Sequence, residues 1–278
     1  MPNSAIRLSS PKASAEQFGS PAEDVCAGSL RSLIESQIIP RLLEAHPHAG
    51  AANSQNFDLS YKPTEAEVAA FSDLCVSRES EDVLTFVEGL LLNDVNSDSI
   101  FLNLIAPAAR QLGLMWEQER ADFTQVTMGL LRMHQITHRI GYEYQSGPQK
   151  AGASRRIMLA SAPGSQHILG LAMVSEFFRK SGWQVVVEIT NTPAELYTAA
   201  KNEWFDLIGL SVGLTQQISG LLELVNNLKS KSRNPQIPVL LGGPAFLSNT
   251  VTAQSLGADA ITTDALEGVQ IASLLVDG

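Results

Sequence analysis

In the stretch Arg156-Ile157-Met158-Leu159-Ala160-Ser161-Ala162-Pro163-Gly164-Ser165-Gln166-His167-Ile168-Leu169-Gly170, an apolar run ending at Ala160 gives way to a loop of small residues, and helical spacing begins at Ile168. The same alternation of short apolar runs and amphipathic stretches continues to the C-terminus. After the strand at Arg156–Ala160, further strands are predicted at Gln184–Ile189, Asp206–Ser211, Val239–Leu241 and Ala260–Thr262. Helices are predicted near Ile168–Lys180, Pro193–Asn202, Gln216–Lys231, Phe246–Leu256 and Leu266–Leu275.

Five such units predict a flavodoxin-like (Rossmann-type) domain, a parallel five-stranded sheet with helices on both faces. With strand order 2-1-3-4-5, ligands sit beyond the carboxyl ends of the strands, at the switch point beside strands 1 and 3. Three punctuation marks fall there. His167 and Gly170 follow the first strand; forty residues separate Gly170 from Ser211 in Gly209-Leu210-Ser211-Val212-Gly213; twenty-eight more separate Gly213 from Gly242-Gly243. Thr263, just past the fifth strand, is counted with them. An imidazole can give a lone pair to a borderline transition metal, and paired glycines let backbone approach a bulky ligand.

These residues resemble the cobalamin-binding domain family, whose pattern is Asp-x-His-x-x-Gly, about forty residues, Ser-x-Leu, fewer than thirty residues, and Gly-Gly. The resemblance implies that His167 replaces the cofactor's own benzimidazole below cobalt, with the nucleotide tail beside Ser211 and Gly242-Gly243. Two positions depart from the pattern: Ser165 stands where the family has Asp, and Gly213 where it has Leu. A carboxylate behind a metal-bound His orients the ring and raises its basicity, so Ser165 is expected to hold His167 less firmly. A lone His near a helix start is more often a loop or capping residue; the three marks in register carry the reading.

Other occupants of this fold are tested by the same loops. A phospho-receiver needs an acidic cluster after strand 1 and an Asp ending strand 3, where this chain has Ala160-Ser161 and Ser211. The glycine patterns of dinucleotide and triphosphate loops are absent. A flavin mononucleotide phosphate could sit on Ser161–Ser165 ahead of the helix, a reading that leaves His167 without a role.

Upstream, residues 64–147 read as four amphipathic helices, roughly Thr64–Val76, Ser80–Leu92, Ser97–Glu119 and Asp122–Tyr144. Thr64 with Glu67 forms a capping signal, and Pro107 is expected to kink the third helix and re-aim Trp116. The ending Leu112-Gly113-Leu114-Met115-Trp116 looks like the cap ahead of many cobalamin domains; in the CarH-type light sensors a Trp here covers the upper corrin face. That branch continues after nine residues with Glu-His, where this chain has Val126-Thr127. His134 and His138, four apart on one helix face, lack an evident third ligand; His134 is kept as a candidate upper cobalt contact. A Trp ending an amphipathic helix, or a His pair on its polar face, is ordinarily packing or solvated surface. His46 and His48, beside Pro47, are weaker candidates.

The chain has 278 residues and 44% hydrophobic content, enough for two cores. No run approaches the roughly 18 apolar residues of a spanning helix, and the polar start lacks a signal-peptide core, so a cytoplasmic protein is expected. Cys26 and Cys75 offer neither a disulfide framework nor a redox pair. Residues 1–150 hold 11 basic and 19 acidic side chains, a balance of −8, against 8 and 10, a balance of −2, in 151–278. With no basic cluster and no helix-turn-helix, direct nucleic-acid binding is not expected.

The leader, residues 1–60, holds one amphipathic helix, and its Ile34-Glu35-Ser36-Gln37-Ile38-Ile39-Pro40-Arg41-Leu42-Leu43-Glu44-Ala45-His46 looks like the start of the AerR/PpaA antirepressors of photosynthetic bacteria. Ile105–Arg110 and Phe123–Thr127 fit that family too. Residues 61–150 are then a bundle capping a corrin, and 151–278 the cobalamin domain. The resemblance implies adenosyl- or hydroxo-/aquocobalamin as cofactor, light changing the upper cobalt ligand, and a PpsR/CrtJ-type transcriptional repressor as partner, with no substrate turned over. The competing reading is a corrinoid methyl-carrier subunit, which shares the bundle-plus-sheet plan.

Overall fold

A computed structural model describes residues 57–77, 80–141, 155–165, 168–248 and 250–277. The expected leader helix, His46, His48 and Cys26 lie outside the described residues, as do Gln166 and His167. The described residues fall within one compact unit.

The N-terminal part is helical. α1 (Glu65–Val76) starts at Thr64, whose side chain accepts from the Glu67 N–H while Glu67 accepts from the Thr64 N–H, the reciprocal cap read from the sequence. α2 (Ser80–Leu92) follows. The third helical stretch is composite: α3 (Ser97–Ser99), a π-helical turn over Ile100–Ile105, and α4 (Ala106–Glu117). Pro107 lies inside this continuous helical stretch, directly after the π turn, in which the Ala106 N–H bonds to the Phe101 carbonyl. α5 (Phe123–Ile140) is capped by Asp122 and Gln125 and ends at Gly141, before the expected Tyr144.

The C-terminal part alternates β1 (Arg156–Ser161), α6 (Leu169–Lys180), β2 (Gln184–Glu188), α7 (Pro193–Asn202), β3 (Leu207–Ser211), α8 (Leu221–Lys231), β4 (Val239–Gly242), β5 (Ala260–Thr262) and α9 (Ala265–Asp277). All strand pairs are parallel and the order is β2-β1-β3-β4-β5, as read from the sequence. One crossover differs. The helix expected at Phe246–Leu256 is replaced by two short 3-10 turns, Pro244–Phe246 and Gln254–Leu256. Its middle holds Ser248, Thr250, Val251 and Thr252, which lose side-chain freedom in a helix or bond the backbone elsewhere, and the apolar spacing alone could not offset that.

Strand alternation divides the sheet into two faces. Met158, Ala160, Ile208, Leu210, Val239 and Leu241 pack with α7 and α8. Ile157, Leu159, Leu207 and Leu240 join α6, α9 and the whole helical part in the other, continuous core. The two parts meet along α6. Phe177 stacks edge-on against Phe101 and Phe57; Lys180 pairs with the buried carboxylate of Asp98; a Cβ at Gly141 would lie 2.7 Å from the Glu176 carboxylate. The segment entering α1 is tied to the same joint, with the Ser99 hydroxyl donating to the Asp58 carbonyl at 2.9 Å and the Asn103 amide to the Tyr61 carbonyl at 2.6 Å.

Candidate functional site

Parallel register places the last residues of four strands side by side: Ser161 pairs with Ser211, Ser211 with Gly242, and Gly242 with Thr262. By strand alternation all four belong to the face covered by α6 and α9. A row of two serines, a glycine and a threonine is an unusual lining for a buried sheet edge, because it fills little volume and carries three hydroxyls. Two residues back along the strands, Leu159, Gly209, Leu240 and Ala260 close the floor, with Leu159 lying where a Gly209 Cβ would be.

The polar partners along this row differ. Thr262 donates to the Glu267 carboxylate and accepts from the Asp264 N–H at 3.1 Å. Ser161 is fully buried, and its hydroxyl has no hydrogen-bond partner among the described residues. Thr190, past β2, is in the same condition, and its carbonyl accepts from the Gly164 N–H at 3.2 Å. Loop 161–165 is thereby held on both sides, since the Ala162 N–H donates to Ser211 O at 2.8 Å and the Ser165 N–H to Ala162 O at 2.9 Å. Gly164 turns with a positive φ of 75°.

The β4 end is shaped by Gly243. Its φ is 111°, and a Cβ there would stand 2.5 Å from the Val212 carbonyl oxygen, so only glycine lets this turn lie against the end of β3. The Val212 N–H then donates to Gly242 O at 2.8 Å and the Ala245 N–H to Val212 O at 3.2 Å. Gly213 is half-buried just beyond, and Gly170 is exposed in the first turn of α6 with open space where a side chain would go. Ser165 is buried. The described residues thus gather Ser165, Ser211, Gly213, Gly242 and Gly243 at one edge; His167, read as the cobalt ligand, is outside them although both sides of its loop are placed.

Sequence reading stops β1 at Ala160 and β4 at Leu241, one residue short of the observed ends, and so leaves Ser161 out of the row. It also counts Thr263 where Thr262 stands; Thr263 is exposed beyond the strand. Lining up the predicted strands by their carboxyl ends would find both.

The upper-face candidates lie in the helical part. Trp116, 57% exposed at the end of α4, and Val126-Thr127 in α5 flank the 118–122 turn and so share one end of the bundle. Along α5, Phe123, Thr127, Leu130 and His134 recur at helical spacing as one stripe; Phe123 is 73% exposed and His134 half-buried about two turns beyond Thr127. His138 is exposed on the same helix, and among the described residues no three His, Cys, Asp or Glu side chains gather as a metal site. No helix among the described residues is long and apolar enough to cross a membrane.

A corrinoid's narrow polar tail suits this edge: small side chains leave room, a buried hydroxyl waits for a partner, and Gly170 adds no bulk at the helix start. Comparison with known proteins agrees. Residues 155–270 match the family described as B12 binding domain. The chain is 26% identical over 160 residues, 58% of its length and 83% of the relative's, to an "uncharacterized 20.5 kDa protein in bchF-crtJ intergenic region" of Rhodobacter capsulatus. It is 24% identical over 209 residues, 74% of its length and 94% of the relative's, to "dimethylamine corrinoid protein 3" of Methanosarcina acetivorans. Its fold is that of the Methanosarcina barkeri monomethylamine corrinoid protein, with TM-score 0.61, 18% identity, and coverage of 75% of this chain and 98% of that one. The C-terminal half carries a cobalamin-binding domain, and cobalamin is its cofactor.

Proposed function

We propose that this cobalamin-binding chain is a light-responsive antirepressor of the AerR/PpaA type, which turns over no substrate and acts by contacting a PpsR/CrtJ-type transcriptional repressor. The observation that carries the reading is the likeness to the Rhodobacter capsulatus protein from the bchF-crtJ region, which spans most of that relative. The leader motif Ile34–His46 and the Leu112–Trp116 ending support it.

In this reading His167 supplies the lower cobalt ligand, and Ser165 replaces the carboxylate that would otherwise anchor that imidazole. Gly170, Ser211, Gly213, Gly242, Gly243 and Thr263 leave space for, or border, the nucleotide tail. Trp116 covers the upper face, with Val126 and Thr127 beside it in place of an acid and an imidazole, and His134 as the nearest candidate donor on that helix face. When bound, the cofactor supplies a cobalt–carbon or cobalt–oxygen bond that visible light can break or exchange. The protein's part is to make the seat of the bundle depend on what stands above the ring. The exposed apolar stripe of α4 and α5 is the surface such a change would re-seat. A tenfold change in partner affinity requires about 1.4 kcal/mol of difference between the two arrangements. The excess of 29 acidic over 19 basic residues favours a protein partner over direct nucleic-acid contact.

The test is a titration of the hydroxocobalamin- and adenosylcobalamin-loaded protein against the repressor in darkness and after illumination. Partner affinity changing about tenfold or more is expected; the same affinity under both conditions overturns the proposal. The methyl-carrier reading has its own support in the dimethylamine corrinoid relatives. It predicts methyl transfer from the loaded protein to a thiol in the presence of a partner methyltransferase. Ser165 in place of the acidic relay weighs against it.

A further inference from the structure

Residues 151–278 carry eight basic side chains. Five of them hold a carboxylate: Arg155 with Asp277, Arg156 with Glu203, Arg179 with Glu176, Lys180 with Asp98 and Lys229 with Asp259. The other three, Lys201, Lys231 and Arg233, are exposed and have no carboxylate within ion-pair distance among the described residues. They gather at one place. The Arg233 N–H donates to the Ala200 carbonyl at 2.9 Å and its guanidinium to the Asn202 carbonyl at 3.4 Å, on either side of Lys201. Lys201 shares a face of α7 with Tyr197, and the Lys231 ammonium stands 4.1 Å from the centre of that ring. A cation in a last helical turn ordinarily complements the helix dipole, which accounts for Lys201 and Lys231 one at a time. It does not account for a third cation brought from beyond α8 onto the end of α7, where like charges repel.

Trp204 follows directly in the chain, 47% exposed, with its indole N–H held by the Asp206 carboxylate at 3.0 Å. An exposed ring already fixed in place loses little freedom when a partner covers it. We infer that this end of the C-terminal part is a docking surface for a carboxylate-rich segment of another protein. Lys201, Lys231 and Arg233 bind its acidic side chains, and Trp204 packs against an apolar one, as aromatic anchors do at protein interfaces. The inference goes beyond the light-responsive reading and does not depend on it. Charge complementarity selects the partner. The chain has 29 acidic residues against 19 basic ones, so carboxylates able to neutralise this cluster are plentiful, yet Glu203 and Asp206 are engaged with Arg156 and Trp204. Glu223 acts on the Tyr197 hydroxyl, about two turns before Lys231. A nucleic-acid strand fits less well, because these three carboxylates would oppose its evenly spaced phosphates. Since α7 and α8 return antiparallel to the strands, their last turns lie at the amino ends of the sheet, opposite the Ser161–Ser211–Gly242–Thr262 row. A protein docked there leaves the cofactor edge open.

The test uses the full-length, hydroxocobalamin-loaded protein and a short fluorescein-labelled peptide rich in Glu and Leu, with binding followed by anisotropy. Matched peptides carrying Gln or Lys in place of Glu, and a single-stranded oligonucleotide, serve as comparisons. The wild type is expected to prefer the Glu peptide to the Gln peptide by about tenfold or more at low salt, and to lose part of that preference at physiological salt. The double variant Lys201→Gln with Lys231→Gln is expected to bind the Glu peptide about tenfold more weakly and to retain hydroxocobalamin as the wild type does. Trp204→Ala is expected to weaken both the Glu and the Gln peptide, because the ring meets the leucines common to both. Lys62→Gln with Arg110→Gln removes two exposed cations elsewhere and is expected to leave peptide binding unchanged. Equal weakening in that control shows a general charge effect and overturns the inference. A wild type that does not distinguish Glu from Gln or Lys peptides, or that binds the oligonucleotide more tightly, overturns it too, whether or not the variants fold.

Discussion

In the proposed reading, Ser165 and His167 of the β1–α6 loop together set how tightly the cofactor is held. Replacing Ser165 by Asp restores the usual carboxylate behind His167, and such outer partners are worth roughly 10–100-fold in metal affinity. Ser165→Asp is expected to bind hydroxocobalamin at least about tenfold more tightly by equilibrium titration, and His167→Ala to lose the cobalamin colour on desalting; unchanged retention in His167→Ala removes that ring as the ligand. A second residue-level property concerns Cys75. It is free and fully buried in α1, and burial pushes its thiol up to about 12 from the usual 9.0, only partly opposed by Arg132, which donates to the Cys75 carbonyl. The folded thiol stays protonated while the unfolded one ionises, so its contribution is intact below pH 9 and is lost as pH rises toward 12. Between pH 8 and 10.5 the wild type is expected to lose about 2 kcal/mol more than Cys75→Ala in urea unfolding. Parallel pH profiles for the two proteins would show that the thiol ionises freely in the fold.

Among the elements, α6 has a double attachment. Its first turn leaves the loop that carries His167, and its last turn holds Lys180 against Asp98 of the short α3, with the Lys180 ammonium 5.4 Å from the Phe57 ring. Asp98 is 2% exposed and Lys180 25%, so removing the lysine strands a carboxylate out of water. Lys180→Met is expected to destabilise the protein by about 3 kcal/mol. The double change Lys180→Met with Asp98→Leu is expected to recover most of that loss, because a matched apolar pair carries no desolvation cost. Additive losses in the double variant would show that the pair is not energetically coupled. The π turn of the third helical stretch lies at the same joint through Phe101, so the irregular part of the bundle touches the first helix of the C-terminal part, as the end of α5 does at Gly141.

For the molecule as a whole, the helical part and one face of the sheet share a single hydrophobic core, from Phe71 and Leu104 through Phe177 to Leu159 and Leu240. Burial that crosses the boundary links the stability of the two parts. Thermal unfolding followed by helical ellipticity and by fluorescence of Trp183, buried just before β2, is therefore expected to give coincident transitions; two separated midpoints would show independent domains. Much of this architecture is legible in the chain. The apolar alternation of residues 156–262 specifies a parallel sheet, since buried strands need continuous apolar runs and crossovers need amphipathic helices, and the flavodoxin-like type it implies carries the observed order. Thr64 and Glu67 announce the start of α1 because a cap is a contact between residues three apart. The spacing of Ser211 and Gly242-Gly243 marks strand ends that the structure brings into register. What the sequence could not supply was register and partnership. Whether Ser161 or Ala160 ends a strand, whether Thr262 or Thr263 faces α9, and whether Phe246–Leu256 winds into a helix depend on which neighbours compete for backbone bonds and space, and those neighbours come from distant parts of the chain. The Ser161–Ser211–Gly242–Thr262 row exists only once four strands lie side by side, and an unpartnered hydroxyl can be recognised only after every surrounding atom has its place.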